Sequence, residues 1–230
     1  MRLADGAPVL VTGGSSGLGA AIAQSVARVG GVPLVLDRRP PPYEVEHELV
    51  DLADTPATEE AIRRVAERHG RLDAVVAAAG TDACGTLADV DSEDWERVVR
   101  VNLLGTAAVV RAALPYLERV GGKVVTVAST LGLRALSDAT AYCASKFGIV
   151  GFTRALAAET AGRIGVTLLI PGGMQTGFFN GRPEQYRPPE DAQLNDPNDV
   201  AQTVLFALRQ PAGCEVRELL VAPSTEPSWP

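Results

Sequence analysis

Tyr142 and Lys146 stand four residues apart in Tyr-Cys-Ala-Ser-Lys, so on a helix they share one face, one turn apart. An ammonium beside a phenol favours the phenolate and lowers a pKa that is otherwise near ~10. A tyrosine tuned toward neutrality can exchange a proton with a carbonyl or alcohol oxygen. Ser129 closes the strand-like run Lys123-Val-Val-Thr-Val-Ala, which puts its hydroxyl at the carboxyl end of a sheet, where open α/β sheets bind ligands. A serine there can hold the reacting oxygen. Alone, Tyr-x-x-x-Lys also fits an ordinary helix with a half-buried tyrosine and a solvated lysine. The chemistry gains weight only where the rest of the chain demands it.

The elements around these residues do demand it. Pro8-Val-Leu-Val-Thr12 reads as a buried strand and runs into Gly13-Gly-Ser-Ser-Gly-Leu-Gly19, after which Ala20 to Arg28 is helical. Strand, glycine turn and helix in that order form a phosphate cradle, with N–H donors and a favourable dipole at the helix start. Gly31-Val-Pro-Leu-Val-Leu-Asp37 is the second strand. Its terminal acid falls where a carboxylate hydrogen-bonds the adenosine ribose. Asp37 repels a 2′-phosphate and favours NAD over NADP, while Arg38 and Arg39 pull the other way.

Pro40-Pro-Pro excludes a helix and implies an extended crossover to a third strand near His47 to Val50, with Asp51-Leu52 reaching the adenine. Thr55-Pro56 reads as a cap opening a helix to about Arg68. Leu72 to Gly80 is a fourth strand, whose small end, Ala77 to Gly80, suits either passage of a cofactor or tight packing. Asp91-Ser92 opens one long helix to about Glu118, with Asn102 facing solvent or a buried partner and Pro115 kinking or ending it. Gly165 to Ile170 is the sixth strand, and Pro171-Gly-Gly-Met-Gln-Thr-Gly177 its terminal loop. Residues 177–196 read as a lid over the substrate or as a surface loop. Asp196-Pro197 starts the last helix, Glu218 to Ala222 is the closing strand, and residues 223–230 are a tail. Alternating strands and helices over the whole length predict one domain, 1–230, with a parallel doubly wound Rossmann sheet of about seven strands.

Composition bounds the partners. A formal charge of −7 argues against nucleic acid. No stretch reads as a bilayer span, and the start lacks the apolar core of a signal peptide, so a cytoplasmic location is expected. Cys84, Cys143 and Cys214 are too scattered for a disulfide framework, and with only His47 and His69 no metal site is visible.

On these residues the chain resembles the short-chain dehydrogenase/reductase family over nearly its whole length. Thr12-Gly-Gly-Ser-Ser-Gly-Leu-Gly19 matches the family's Thr-Gly-x-x-x-Gly-x-Gly loop, and Ala78-Ala-Gly80 stands where the family has Asn-Ala-Gly. Asn102, Ser129, Tyr142 and Lys146 match its tetrad, including the thirteen-residue step from serine to tyrosine. The resemblance implies Tyr142 as general acid/base and Ser129 orienting the carbonyl. It implies Lys146 on the nicotinamide ribose, lowering the Tyr142 pKa, and Asn102 organising a proton relay. Cofactor contacts are implied at Gly13, Ser15, Ser16, Gly17, Leu18 and Gly19 and at Asp37, Arg38, Asp51, Leu52, Ala79 and Gly80. Further contacts are implied at Pro171, Gly172, Met174 and Thr176, the last holding the carboxamide.

Three departures stand out. Ala77 and Ala78 replace paired asparagines, the proline run deletes the helix after the second strand, and Ser16 replaces a basic residue common in NADP-preferring relatives, which supports NAD. The resemblance further implies a homodimer or homotetramer built partly from the helices at 92–118 and 139–161. The expected activity is NAD-dependent hydride transfer on a small secondary alcohol or ketone, with Leu131, Leu133, Leu136, Met174, Phe178 and Phe179 as pocket or core. The alternatives are reduction of a 3-oxoacyl thioester on a carrier protein, for which an acidic chain is a poor match, and a non-catalytic cofactor-binding sensor.

Overall fold

A computed structural model of the chain describes residues 5–226. The leader reading and the end of the tail fall partly on 1–4 and 227–230, outside the described residues. The strands are β1 (Pro8–Thr12), β2 (Val32–Asp37), β3 (Glu46–Leu49), β4 (Ala74–Ala77), β5 (Lys123–Val127), β6 (Gly165–Pro171) and β7 (Glu218–Val221). They form one sheet in the order β3-β2-β1-β4-β5-β6-β7, and every pair is parallel. The order reverses between β1 and β4, which opens a crevice at their carboxyl ends.

The helices are α1 (Gly17–Arg28), α2 (Thr55–His69), α3 (Ser92–Val99), α4 (Thr106–Glu118), α5 (Thr140–Glu159) and α6 (Pro197–Leu208). Alternation along the strands feeds two cores. Val9, Val11, Val35 and Val76 pack with α1 and α6, while Leu10, Leu34, Leu36, Val75 and Val124 pack with α2 and α4. Burial on both faces is why these strands read as continuous apolar runs.

Several expected boundaries move. Asp54, not Thr55, caps α2, its carboxylate accepting from the Ala57 N–H at 3.0 Å, and Pro56 sits in the first turn. The long helix is not uniform: a π-helical turn, Arg100–Gly105, separates α3 from α4. The extra residue of such a turn rotates the helix downstream of it, and such turns recur at functional sites. Pro115 does not end α4, which runs to Glu118. So near the carboxyl end its missing N–H removes one hydrogen bond of a turn already close to ending. Contrary to the sequence reading, the run Ser92–Glu118 is by length and composition apolar enough to cross a bilayer, but over half of its most apolar window is buried against the fold. No helix separates β2 from β3, as the prolines require.

Leu117, in the last turn of α4, is fully buried, and Gly122 passes so close that an added Cβ would lie 2.8 Å from its side chain. Leu117→Ala is expected to cost about 2–5 kcal/mol through an unfilled cavity. Urea unfolding of the variant, with a midpoint unchanged from wild type as the contrary result, checks this.

Candidate active site

The glycine loop is shaped by close approaches. A Cβ on Gly19 would lie 2.2 Å from the Gly13 carbonyl oxygen, and one on Gly13, which has φ +71, would lie 2.7 Å from the Ala79 backbone. Only glycine fits either position. The strap after β2 braces the loop from below. Asp37 accepts from the Ser15 N–H at 3.0 Å and the Arg39 N–H at 3.1 Å. The Ser15 hydroxyl donates to the Arg39 carbonyl, and the Tyr43 hydroxyl to the Gly14 carbonyl. Ser16 caps α1 without giving its side chain to the helix. The first-turn N–H groups therefore keep no side-chain acceptor, the arrangement that suits a phosphate.

Above the loop a cleft is lined by Gly13, Ser16, Leu18, Gly19, Asp37 and Arg38, and on its far side by Asp51, Leu52, Ala79 and Gly80. These are ten of the expected cofactor residues. Ser15 and Gly17 do not line it: Ser15 is turned into the brace, and Gly17 starts α1 at φ +53 against the Thr176 side chain. Arg39, Thr81 and Arg97 also line the cleft. Arg97 pairs with Asp51 at 2.7 Å. Burial works to raise the Asp51 pKa, but the Ala53 N–H, Arg97 and Arg38 outweigh it, so it lies below the usual value. Nothing in the local sequence signals Arg97, since it reaches Asp51 from another element.

The cleft continues through Leu18, Ala78 and Gly80 into a second cavity of about 750 Å³. Ser129, Tyr142, Lys146, Pro171, Gly172, Met174 and Thr176 all line it, as do Leu131, Leu136, Phe178 and Phe179. Leu133 instead packs in the core beside α5. The far wall is segment 177–196, held by two short 3-10 turns, Gly177–Phe179 and Glu184–Tyr186, and by a bridge from Met174 to Asn195.

Asn102 lines neither cavity. Buried in the π-helical turn, it donates to the Thr81 carbonyl at 2.9 Å and accepts from the Thr81 N–H at 2.8 Å. The same amide donates to the Ser145 hydroxyl on α5 at 3.0 Å. It thus ties the chain after β4 to the helix that carries Tyr142.

The electrostatics of Tyr142 differ from the expectation. Burial first, then the Asp82 carboxylate, push the phenol above its ordinary pKa, against the opposing influence of the nearby Ser129 hydroxyl and the Arg182 guanidinium. Lys146 does not offset this. Its Nζ lies 5.5 Å from the Tyr142 ring centroid and donates to the Val127 carbonyl at 2.8 Å. Burial draws Lys146 itself down to about 8, with Asp82 pulling upward. Asp82 was not among the expected site residues; it is placed by the irregular chain that follows Gly80, with no local signal.

A doubly wound parallel sheet, a phosphate-binding glycine loop at its first turn, and a serine, tyrosine and lysine across the crevice define a dinucleotide-dependent oxidoreductase. A sequence model of the short chain dehydrogenase family matches residues 7–187. The chain is 31% identical over 225 residues to a 3-oxoacyl-[acyl-carrier-protein] reductase of Thermotoga maritima, covering 90% of this chain and 91% of that protein. It is 33% identical to glycine betaine reductase of Emericella nidulans, but spans only 19% of that larger protein. Among solved structures it resembles an alcohol dehydrogenase of Thermococcus sibiricus in complex with 5-hydroxy-NADP. The TM-score is 0.85 at 26% identity, with 94% of this chain and 96% of that one covered. It also resembles an actinorhodin polyketide ketoreductase variant with NADPH, with a TM-score of 0.84, 30% identity and coverage of 96% and 98%. This chain belongs to the short-chain dehydrogenase family, and its class of chemistry is NAD(P)-dependent hydride transfer on CH–OH groups.

The preference for NAD over NADP is overturned. Two of these similar structures hold NADP-type dinucleotides. In this chain both Asp37 oxygens already accept backbone N–H bonds, and Arg38 and Arg39 line the adenosine end of the cleft. The acid acts on the loop, and the arginines are the donors suited to a 2′-phosphate.

The lowered Lys146 pKa has a stability consequence. Between about 8, its folded value, and the ordinary lysine value near ~10.4, the unfolded chain binds more protons, so this group makes stability rise with pH. Below that window both states are protonated and the full cost of burying the ammonium is present. Relative to Lys146→Met, wild type should gain stability as pH rises from about 8 to about 10. Urea midpoints of both proteins at the two pH values measure it; a pH-independent difference is the contrary result.

Proposed function

We propose that this protein is an NADPH-dependent ketoreductase, with a 3-oxoacyl thioester as its substrate class. The observation that carries the reading is geometric: Ser129, Tyr142 and Lys146 line one cavity, which shares Leu18, Ala78 and Gly80 with the dinucleotide cleft, and burial keeps the Tyr142 phenol in its neutral form. A neutral phenol is a proton donor at physiological pH, the form that ketone reduction needs. When bound, NADPH supplies the hydride. Ser129 holds the ketone oxygen, and Tyr142 gives that oxygen a proton as it becomes an alcohol. Lys146, poised near neutrality and linked to the Val127 carbonyl, replenishes the proton. Asn102 positions Thr81 and α5 so that the two sides of the crevice keep their spacing. Arg38 and Arg39 receive the 2′-phosphate. Thr176 and the Pro171–Gly172 loop receive the carboxamide, and segment 177–196 is the lid. The volume suits a ligand of acyl-chain size.

The 3-oxoacyl class is supported by likeness to a carrier-protein reductase and a polyketide ketoreductase. A second reading, turnover of a free alcohol or ketone, is favoured by the charge of −7, which repels an acidic carrier. Assembly as a homodimer or homotetramer fits the exposed Leu104 and Phe147 on the π-helical turn and α5.

NADPH consumption with an acetoacetyl thioester tests the reaction. Tyr142→Phe should lower kcat about 10²-fold or more while NADPH still binds; full turnover in that variant overturns the mechanism. Arg38→Ala combined with Arg39→Ala should raise the KM for NADPH about tenfold or more, with little change for NADH, through loss of charge-assisted hydrogen bonds. Equal effects on both cofactors would assign the arginines to packing.

A further inference from the structure

The substrate cavity contains a buried ion pair that the tetrad chemistry does not use. Arg182, in the lid, donates from Nη2 to Asp82 Oδ2 at 2.7 Å, and both side chains are largely buried, at 16% and 8% exposure. The partners are 100 residues apart, so the pair spans the cavity from the chain after β4 to the lid. Its other contacts fix the guanidinium. Its Cζ lies 4.8 Å from the Phe178 ring centroid and 4.7 Å from that of Phe179, and Phe178 lies 5.7 Å from the Tyr142 ring. The Arg187 Nε donates to the Arg182 carbonyl at 2.7 Å and stiffens its backbone.

Asp82 is nearly satisfied by protein alone. Its Oδ1 accepts from the Ala83 N–H at 2.8 Å, and its Oδ2 from Arg182 and the Cys84 thiol. Arg182 is not. A guanidinium carries five donors. Among the described residues its further contact is a long one, 3.5 Å, from Nη1 to the Tyr186 carbonyl. Donors therefore remain on a rigid group in the cavity wall, one aromatic ring away from Tyr142.

We propose that Arg182, held by Asp82, is the specificity-determining residue that takes the acyl carbonyl lying beyond the reacting ketone. A neutral carbonyl suits this donor better than a carboxylate. The Arg182 charge is already compensated by Asp82, and Asp138, Asp191 and Glu226 also line the cavity, so an added anion meets like charge. The inference rests on the ketoreductase reading and assigns to Arg182 the discrimination of 3-oxoacyl thioesters from simple ketones and free 3-oxo acids.

The test compares wild type, Arg182→Ala and the paired variant Asp82→Asn with Arg182→Gln, which leaves no unpaired buried charge. NADPH-dependent reduction is measured on an acetoacetyl thioester, on acetoacetate and on a monoketone of matched length. The same three compounds are titrated into the NADPH complexes on a Tyr142→Phe background, by nicotinamide fluorescence. Wild type should prefer the thioester. Both variants should reduce the thioester-to-monoketone ratio of kcat/KM about tenfold or more, as loss of a charged donor implies, mainly through KM. They should also weaken thioester binding by a similar factor. Ratios unchanged in both variants, or acetoacetate preferred by wild type, overturn the proposal. Binding discrimination that follows Arg182 without turnover in wild type supports the subsite and overturns the ketoreductase reading instead.

Discussion

A parallel sheet cannot be closed by hairpins; each strand must be reached through a crossover that lies on one face or the other. Here seven strands obey that constraint, and both faces are covered by helices packed on apolar side chains. The consequence is directional. Every strand delivers its carboxyl end to the same edge, so the glycine loop after β1, Gly80 after β4, Ser129 after β5 and the Pro171 loop at the end of β6 converge without any being near another in the chain. The helices return along the faces and present α5, with Tyr142 and Lys146, to the same crevice.

Convergence sets positions only to the width of a strand, and local devices refine them. The strap of residues 38–45 replaces a crossover helix and braces the glycine loop with Asp37, Ser15 and Tyr43. The π-helical turn between α3 and α4 aims Asn102 inward, where its amide serves the Thr81 backbone and the Ser145 hydroxyl together. These are hydrogen bonds in a dry interior, where leaving one partner out exposes the full desolvation cost of the other.

The electrostatic character of the site comes from burial more than from pairing. Lys146 and Tyr142 share a helix face, yet the ammonium points to the Val127 carbonyl, and the phenol answers to its surroundings and to Asp82. Both shifts favour the neutral form, as low dielectric does for any ionisable group. A neutral phenol and an ammonium whose pKa burial has lowered to about 8 share one helix turn, without forming a fixed charge pair. The Asp82–Arg182 pair puts a buried, compensated charge in the cavity wall, one aromatic ring away from Tyr142.

Much of this protein is legible in local pattern. Apolar runs of strand length, the Gly13–Gly19 turn, the Asp91 and Asp196 caps and the Tyr142–Lys146 spacing are rules that act within a few residues. They foretell the parallel sheet, the tight turn after β1 and the helix face that Tyr142 and Lys146 share. Tertiary structure decided what depends on distant neighbours. Whether Asp37 meets a ribose or braces a loop turns on Ser15, 22 residues away. The sign of the Tyr142 shift turns on enclosure and on Asp82, and the Asp82–Arg182 pair on segment 177–196 lying along the cavity wall. Local sequence carries backbone propensity and periodicity. Solvent exclusion and long-range charge arise only once the chain has packed, because both are properties of the space between elements rather than of any one of them.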